Sequence, residues 1–180
     1  MLKQYINLNI KKINSLIFIL LTLMGFNSMA LESDKQADFN LQADDFKNLP
    51  EVKSGLTQQK FWGNVLIEQG TLKIAADKAI LFNGKEGIFK VVLTGNPVQM
   101  EQFIDAEFGK IDVKATTIDF MVKDDLLLMT GDVVIKSKIQ GEMSGEKITM
   151  NLKTNEIKGS KSGNKRVKLV IKPKPNPKTK

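Results

Sequence analysis

Cysteine and histidine are both absent from the 180 residues. Their absence excludes disulfides, thiolate or imidazole metal sites, a thiol nucleophile, a serine–histidine relay and a lipid anchor on cysteine. No glycine-rich loop leads into a helix, so no phosphate cradle is expected. Acidic residues are missing from both ends: none precedes Glu32 and none follows Glu156. Charged residues at 26% and hydrophobic ones at 42% leave ordinary globular composition, which argues against wholesale disorder.

Only one long apolar run is present, residues 13–26 (INSLIFILLTLMGF). It follows Lys3, Lys11 and Lys12 and precedes Ser28-Met29-Ala30, small residues at the −3 and −1 positions of a cut after Ala30. That layout predicts a secretory signal peptide over residues 1–30. A bilayer-spanning helix needs roughly 20 apolar residues, more than this run offers. The alternative is an uncleaved membrane anchor. Export would leave Leu31–Lys180, with residues 31–171 as one domain and 172–180 as a tail.

The formal charge of +7 divides unevenly. The leader holds 3 Lys, residues 31–157 hold 15 basic and 20 acidic residues, and residues 158–180 hold 9 basic and no acidic residues. The body is therefore acidic (15 − 20 = −5) and the C-terminus strongly basic. Pro173, Pro175 and Pro177 alternate with Lys and Asn, a pattern that forbids helix and sheet and predicts an extended, solvated tail. Without aromatics the tail has no base-stacking platform, so nucleic acid is not an expected partner. The alternative for the tail is contact with an acidic surface.

Within the body apolar residues recur with period two, as on strands with one buried face. Val65/Ile67, Leu72/Ile74/Ala76, Ile118/Phe120/Val122, Ile148/Met150/Leu152 and Val167/Leu169/Ile171 all show it. Turn residues punctuate these runs: Gln69-Gly70, Asn83-Gly84, Gly95-Asn96-Pro97, Asp124-Asp125, Gly131-Asp132 and Thr154-Asn155. Asn83-Gly84 reads as the strongest two-residue hairpin. A short helix is expected over Ala43–Leu49, ended by Pro50. About ten strands at even spacing predict an all-β sandwich, jelly roll or barrel.

A weak repeat runs through the body. Phe61-Trp62-Gly63-Asn64-Val65, Leu93-Thr94-Gly95-Asn96-Pro97-Val98 and Met129-Thr130-Gly131-Asp132-Val133 share one pattern of apolar residue, spacer, Gly, Asn/Asp and strand. Residues 74–78, 113–117 and 143–147 follow at similar distances. Such a period predicts stacked hairpin layers, each one turn of a flattened roll, against an ordinary sandwich with coincidental hairpins. The pairs Asp44-Asp45 and Asp124-Asp125 read as turns rather than as acid–base carboxylates, because strand neighbours point to opposite faces. Phe39, Phe61, Phe82, Phe89, Phe103, Phe108 and Phe120 supply bulk either for a closed core or for a groove that holds lipid.

The stretch Phe61-x-Gly63-Asn64-Val65-x-Ile67-x-Gln69-Gly70-Thr71-Leu72-Lys73-Ile74-x-Ala76-Asp77-Lys78 resembles the signature of the OstA-like β-jellyroll family of lipopolysaccharide-transport proteins. Leu128–Asp132, Gly145–Thr149 and Gly163–Val167 resemble shorter motifs of that family, and the likeness extends over residues 37–171. Trp62, the loop Phe103–Lys110 and residues 42–60 depart from it.

The resemblance implies an all-β, open β-jellyroll with an apolar interior, no enzyme activity, no cofactor and no metal. It implies a periplasmic bridge that carries lipopolysaccharide from the inner to the outer membrane of a Gram-negative envelope. Its implied partners are lipopolysaccharide, like-folded inner- and outer-membrane components, and further copies of itself joined head to tail. Family interior sites fall on Phe39, Leu41, Met100, Phe120 and Val122. With the inward strand faces, the candidate lipid-contacting set adds Val65, Ile67, Ile74, Ile118, Val133, Ile135, Ile148 and Met150.

The candidate edge strands are Ala37–Ala43, with Ala37, Phe39, Leu41 and Ala43 as interface residues, and Val167–Ile171, with Val167, Leu169 and Ile171. Acids flank the first and bases flank the last, which favours head-to-tail contact. The competing readings are an inner-membrane-anchored relative in the same pathway and a non-lipid periplasmic adaptor that uses the basic tail.

Overall fold

Ten antiparallel strands form one sheet in a computed structural model that describes residues 34, 36–52, 56–163, 165–171 and 173, without the side chains of 50–52. The leader, and the tail except Pro173, lie outside the described residues. In chain order the strands are β1 (Asn40–Gln42), β2 (Asp45–Val52), β3 (Leu56–Gln69), β4 (Leu72–Gly84), β5 (Gly87–Phe103), β6 (Lys110–Met121), β7 (Leu126–Ser137), β8 (Gly141–Asn151), β9 (Ile157–Ser160) and β10 (Lys168–Ile171). Spatial order runs β1-β3-β4-β5-β6-β7-β8-β10, with β2 also on β3 and β9 also on β8. The first and last strands do not pair, so the roll is unclosed, as expected for an open β-jellyroll.

The six long strands, β3 to β8, are each interrupted near the middle. Register shifts fall between Trp62 and Val65, Ala75 and Lys78, Thr94 and Val98, Lys114 and Thr117, and Thr130 and Val133. These bulges line up across the sheet as one corner, the usual device for bending a strand. The corner divides the sheet into two facing leaves. The first holds 56–62, 78–84, 87–94, 117–121, 126–130 and 147–151. The second holds 65–69, 72–75, 98–103, 110–114, 133–137 and 141–145.

The sequence repeat is this corner. Gly63 and Asn64 have φ of 77° and 46°, and Gly131 and Asp132 have 79° and 46°, two copies of one left-handed bend. Gly95-Asn96-Pro97 makes the third, with a cis peptide before Pro97. Gly95-Asn96-Pro97 and Gly131-Asp132, expected to be turns, therefore lie inside strands. The same positive-φ chemistry serves a chain reversal and a strand corner, and only neighbouring pairing separates the two.

Three further expectations shift. The hairpin expected at Asn83-Gly84 turns instead at Lys85-Glu86, flanked by the pair Gly84↔Gly87, with the positive φ at Gly87. Ala43–Leu49 is not a helix. From Asp45 onward it is strand β2, because Phe46 pairs with Phe61 and their rings pack 4.9 Å apart. Three strands are shorter than expected: Ala37, Phe39 and Ala43 flank β1, Val122 follows β6 and opens a 3-10 turn ending at Asp124, and Val167 precedes β10.

Both edges of the sheet are split at the corner. β1 covers the second-leaf half of β3 and β2 the first-leaf half. β10 covers the second-leaf half of β8 and β9 the first-leaf half. A straight strand cannot follow a bent neighbour across a corner, so each edge uses two short ones.

Candidate functional site

Inward residues form rows that run along the sheet from edge to edge. In the second leaf, Leu41, Ile67, Ile74, Met100, Val113, Ile135, Met143 and Leu169 follow one another by cross-strand pairing. In the first leaf, Phe61, Ala79, Leu93, Ile118, Met129 and Ile148 do the same. Their period-two spacing in sequence puts them on one face, and the corner turns the two faces toward each other.

The interior has two zones. Near the corner it is sealed: Val65, Val98, Ala115, Val133 and Ile148 are fully buried. Toward the mouth the leaves part around a cavity of about 470 Å³, within the size range typical of small-ligand sites. Of the thirteen candidate lipid contacts, Phe39, Ile67, Ile74, Met100, Ile118, Phe120 and Val122 line this cavity. Leu41, Val65, Val133, Ile135, Ile148 and Met150 pack in the core outside it. Leu72, Ile88, Val91, Leu93, Leu127 and Leu152 complete the apolar wall. They carry the same alternation as the residues singled out in the sequence, and only the width of the gap between leaves selects them.

Four polar side chains, Asp34, Gln69, Gln102 and Asp125, belong to the wall. Asp34, just 7% exposed, ties the chain before β1 to the β3–β4 turn. Its carboxylate accepts hydrogen bonds from the Thr71 amide (3.0 Å) and the Thr71 hydroxyl, and Gln69 donates to the Ala37 carbonyl (3.2 Å). At the other end of the mouth, Asn155 Nδ2 donates to Asp105 Oδ2 at 2.7 Å and links the two leaves.

Charge is otherwise kept outside. Glu68, Lys73, Glu101, Asp112, Lys136 and Glu142 form a cross-strand row on the outer face of the second leaf. Lys73–Glu68, Lys110–Glu101 and Lys136–Glu142 pair at 3.4, 2.7 and 3.2 Å. The hydrogen bond from Lys110 holds Glu101 below the ordinary carboxylate range, and Glu101 in turn raises Lys110. Asp124 and Asp125 sit at a turn after β6, where Asp125 has a φ of 50°. Asp44 and Asp45 join the two halves of the N-terminal edge. Among the described residues no group of three or more Asp or Glu is placed to hold a metal ion.

The edges differ in their fastening. At the N-terminal edge, the Asp44 amide donates to the Gly63 carbonyl at 2.8 Å, and Asn64 Nδ2 donates to Asp44 Oδ2 at 2.8 Å. At the C-terminal edge, Lys165 Nζ meets Asp132 Oδ1 at 2.7 Å and Glu146 Oε2 at 2.8 Å, which raises the Lys165 pKa above its usual value. Val167 then packs on Gly145 and Gly159, and β10 follows. Phe39 and Phe46 stand 45% and 56% exposed at one edge, Leu169 and Ile171 55% and 69% at the other. Apolar rows thus reach solvent at both open edges.

An unclosed antiparallel jellyroll, apolar within and unpaired at both edges, is the class of protein defined by this geometry. The model of the LptA/(LptD N-terminal domain) LPS transport protein family matches residues 48–156. The chain belongs to that family. It is 28% identical over 165 residues to the lipopolysaccharide export system protein LptA of Haemophilus influenzae, covering 89% of this chain and 92% of the relative. The Escherichia coli K12 protein of the same name is 29% identical over 116 residues, covering 63% of this chain and 61% of that one. Among solved structures, LptH, the LptA-homologous periplasmic component of the lipopolysaccharide transport device of Pseudomonas aeruginosa, superposes with a TM-score of 0.67. It is 22% identical and covers 78% of this chain and 99% of its own.

Proposed function

We propose that this chain is a non-enzymatic periplasmic carrier that holds the acyl part of lipopolysaccharide between its leaves and passes it from the inner to the outer membrane. The apolar cavity between the leaves, continuous with rows that reach both edges, is the observation that carries this reading. Acyl chains would lie between the leaves while the sugars stay in water at the mouth. Each methylene removed from water contributes about 0.8 kcal/mol, so covering part of several chains is enough for useful affinity. A carrier must also release its cargo, and a long uniform wall suits that better than one deep pocket. No nucleotide motif is present in the sequence, so the energy for direction comes from partners.

The edges serve assembly. Unpaired strand edges normally invite aggregation; here they would be completed by strand addition, with β1–β2 of one copy or like-folded partner against β9–β10 of the next. The acidic start and basic end favour that head-to-tail order. The leader at residues 1–30 supplies the export route.

Lipid extraction and mass spectrometry of the protein from a lipopolysaccharide-producing host test the reading. Co-purified lipopolysaccharide is expected, together with photocrosslinking from Phe120 and Val122 but not from the outward Lys73. An empty extract, or equal labelling at Lys73, would overturn it. Met100 is the poorer probe, because at 2% exposure a charge there disrupts the core itself.

A further inference from the structure

Gln102 lies on the inner face of β5, one inward position beyond Met100 toward the mouth, and is 5% exposed. Its side-chain oxygen Oε1 is buried and has no hydrogen-bond partner. Among the described residues it is the one unpaired buried polar atom in the cavity wall. The other polar wall residues that face the N-terminal end are engaged: Asp34 with Thr71, and Gln69 with the Ala37 carbonyl. The cross-strand neighbour of Gln102 is Ile111, which offers no side-chain donor. Leaving a buried acceptor unpaired is costly, and native structures rarely do so.

We infer that Gln102 is a hydrogen-bonding site for a hydroxyl or amide N–H carried by the bound lipid just below its polar end. The inference rests on the lipid-binding reading above and adds a chemical requirement to it. Position argues for the polar end. Successive inward residues on a strand are about 6.6 Å apart, so Gln102 sits one such step nearer the mouth than Met100. Asp34, Gln69 and Asp125 belong to the same wall, while the rows toward the corner are wholly apolar. A chain threaded with its methyl end toward the corner therefore brings its first few carbons past Oε1. An amide oxygen accepts and does not donate, so a donor fits it, whereas a plain hydrocarbon leaves it unpaired.

Competition for a fluorescent fatty acid, measured on the mature chain, tests this with four soluble probes. They are dodecanoic acid, 3-hydroxydodecanoic acid, 12-hydroxydodecanoic acid and N-dodecanoylglycine. The 3-hydroxy acid, the N-acyl amino acid, or both should bind about 10-fold more tightly than dodecanoic acid, the ratio expected of one buried hydrogen bond. Their ranking tells an O–H donor from an N–H donor. The 12-hydroxy acid should gain nothing, since its hydroxyl would meet apolar rows.

In Gln102→Met and Gln102→Leu the preference should vanish while dodecanoic acid still binds. In Gln102→Glu, which keeps an acceptor oxygen, it should return. Equal binding of all four probes by the unaltered chain, or a preference that survives Gln102→Met, would overturn the Gln102 assignment and leave the lipid-groove reading standing. Failure of every probe to bind would overturn both.

Discussion

The two edges of the sheet solve one geometric problem with opposite chemistry. β3 and β8 both bend at the corner, and each is covered by two short strands instead of one. In each case the residue after the corner glycine helps fasten the covering segment: Asn64 holds Asp44 at the N-terminal edge, and Asp132 holds Lys165 at the C-terminal edge. The N-terminal fastening is a set of hydrogen bonds, three of them with a backbone partner: the Thr71 amide to Asp34, Gln69 to the Ala37 carbonyl and the Asp44 amide to the Gly63 carbonyl. The C-terminal fastening is an exposed ion-pair cluster, of the kind that salt screens. The difference predicts a firm edge and a detachable one.

The largest test is steric. Gly141, at φ 113°, faces the β10 backbone so closely that a Cβ would lie within van der Waals distance of the Val170 carbonyl oxygen. Gly141→Ala should lift β10 from β8, at a cost of about 3 kcal/mol. On the assembly reading proposed above, end-to-end oligomers should then be lost in light scattering. Gly63→Ala, whose Cβ would lie 2.5 Å from Asp44 Oδ2, should loosen the N-terminal edge instead. If both variants lost the same edge, the comparison would fail.

Asp34→Ala removes two acceptors from Thr71 and should cost about 2 kcal/mol by chemical denaturation, with faster hydrogen exchange across β1. A smaller effect is expected from Lys165→Ala: little change in global unfolding, but faster exchange of the β10 amides. Raising salt in the unaltered protein should reproduce that change at β10 and not at β1.

The smallest effect is pH-dependent. Glu101 and Glu86 are held below the ordinary carboxylate value of 4.5 by hydrogen bonds from Lys110 and Lys123. Depressed carboxylates contribute stability above their unfolded pKa and lose it as pH falls through the folded one. Acidification below pH 4.5 should therefore loosen the outer ion pairs while the apolar interior persists, visible as small shifts in the denaturation midpoint.

Much of the fold was legible because burial on one face of a strand forces period two. Val65, Ile67, Ile118, Ile148 and Met150 could be placed inside from that pattern alone. The misreadings share a cause: they sit where local chemistry is degenerate. A Gly-Asn or Gly-Asp pair suits a hairpin turn and a strand corner equally, so Gly131-Asp132 read as the former. Asp45–Leu49, short and without strong alternation, became part of β2 because Phe61 and its neighbours in the first-leaf half of β3 offered it an unpaired edge.

The cavity was less legible. Phe120 and Met150 carry the same alternation and pair through Leu127, yet only Phe120 meets the open space. Gln102 gave no signal at all, since an isolated Gln in a strand looks like a solvent-facing residue.

By itself, then, the sequence determined the strand faces, the repeated corner residues, the acidic body with its basic end and the absence of cysteine and histidine, because these are properties of residue type and spacing. Tertiary structure alone decided that the repeats line up as one corner, that the leaves part toward the mouth, and that Gln102 is left unpaired beside the gap. Each of those depends on distances between strands far apart in the chain, which spacing along one strand does not encode.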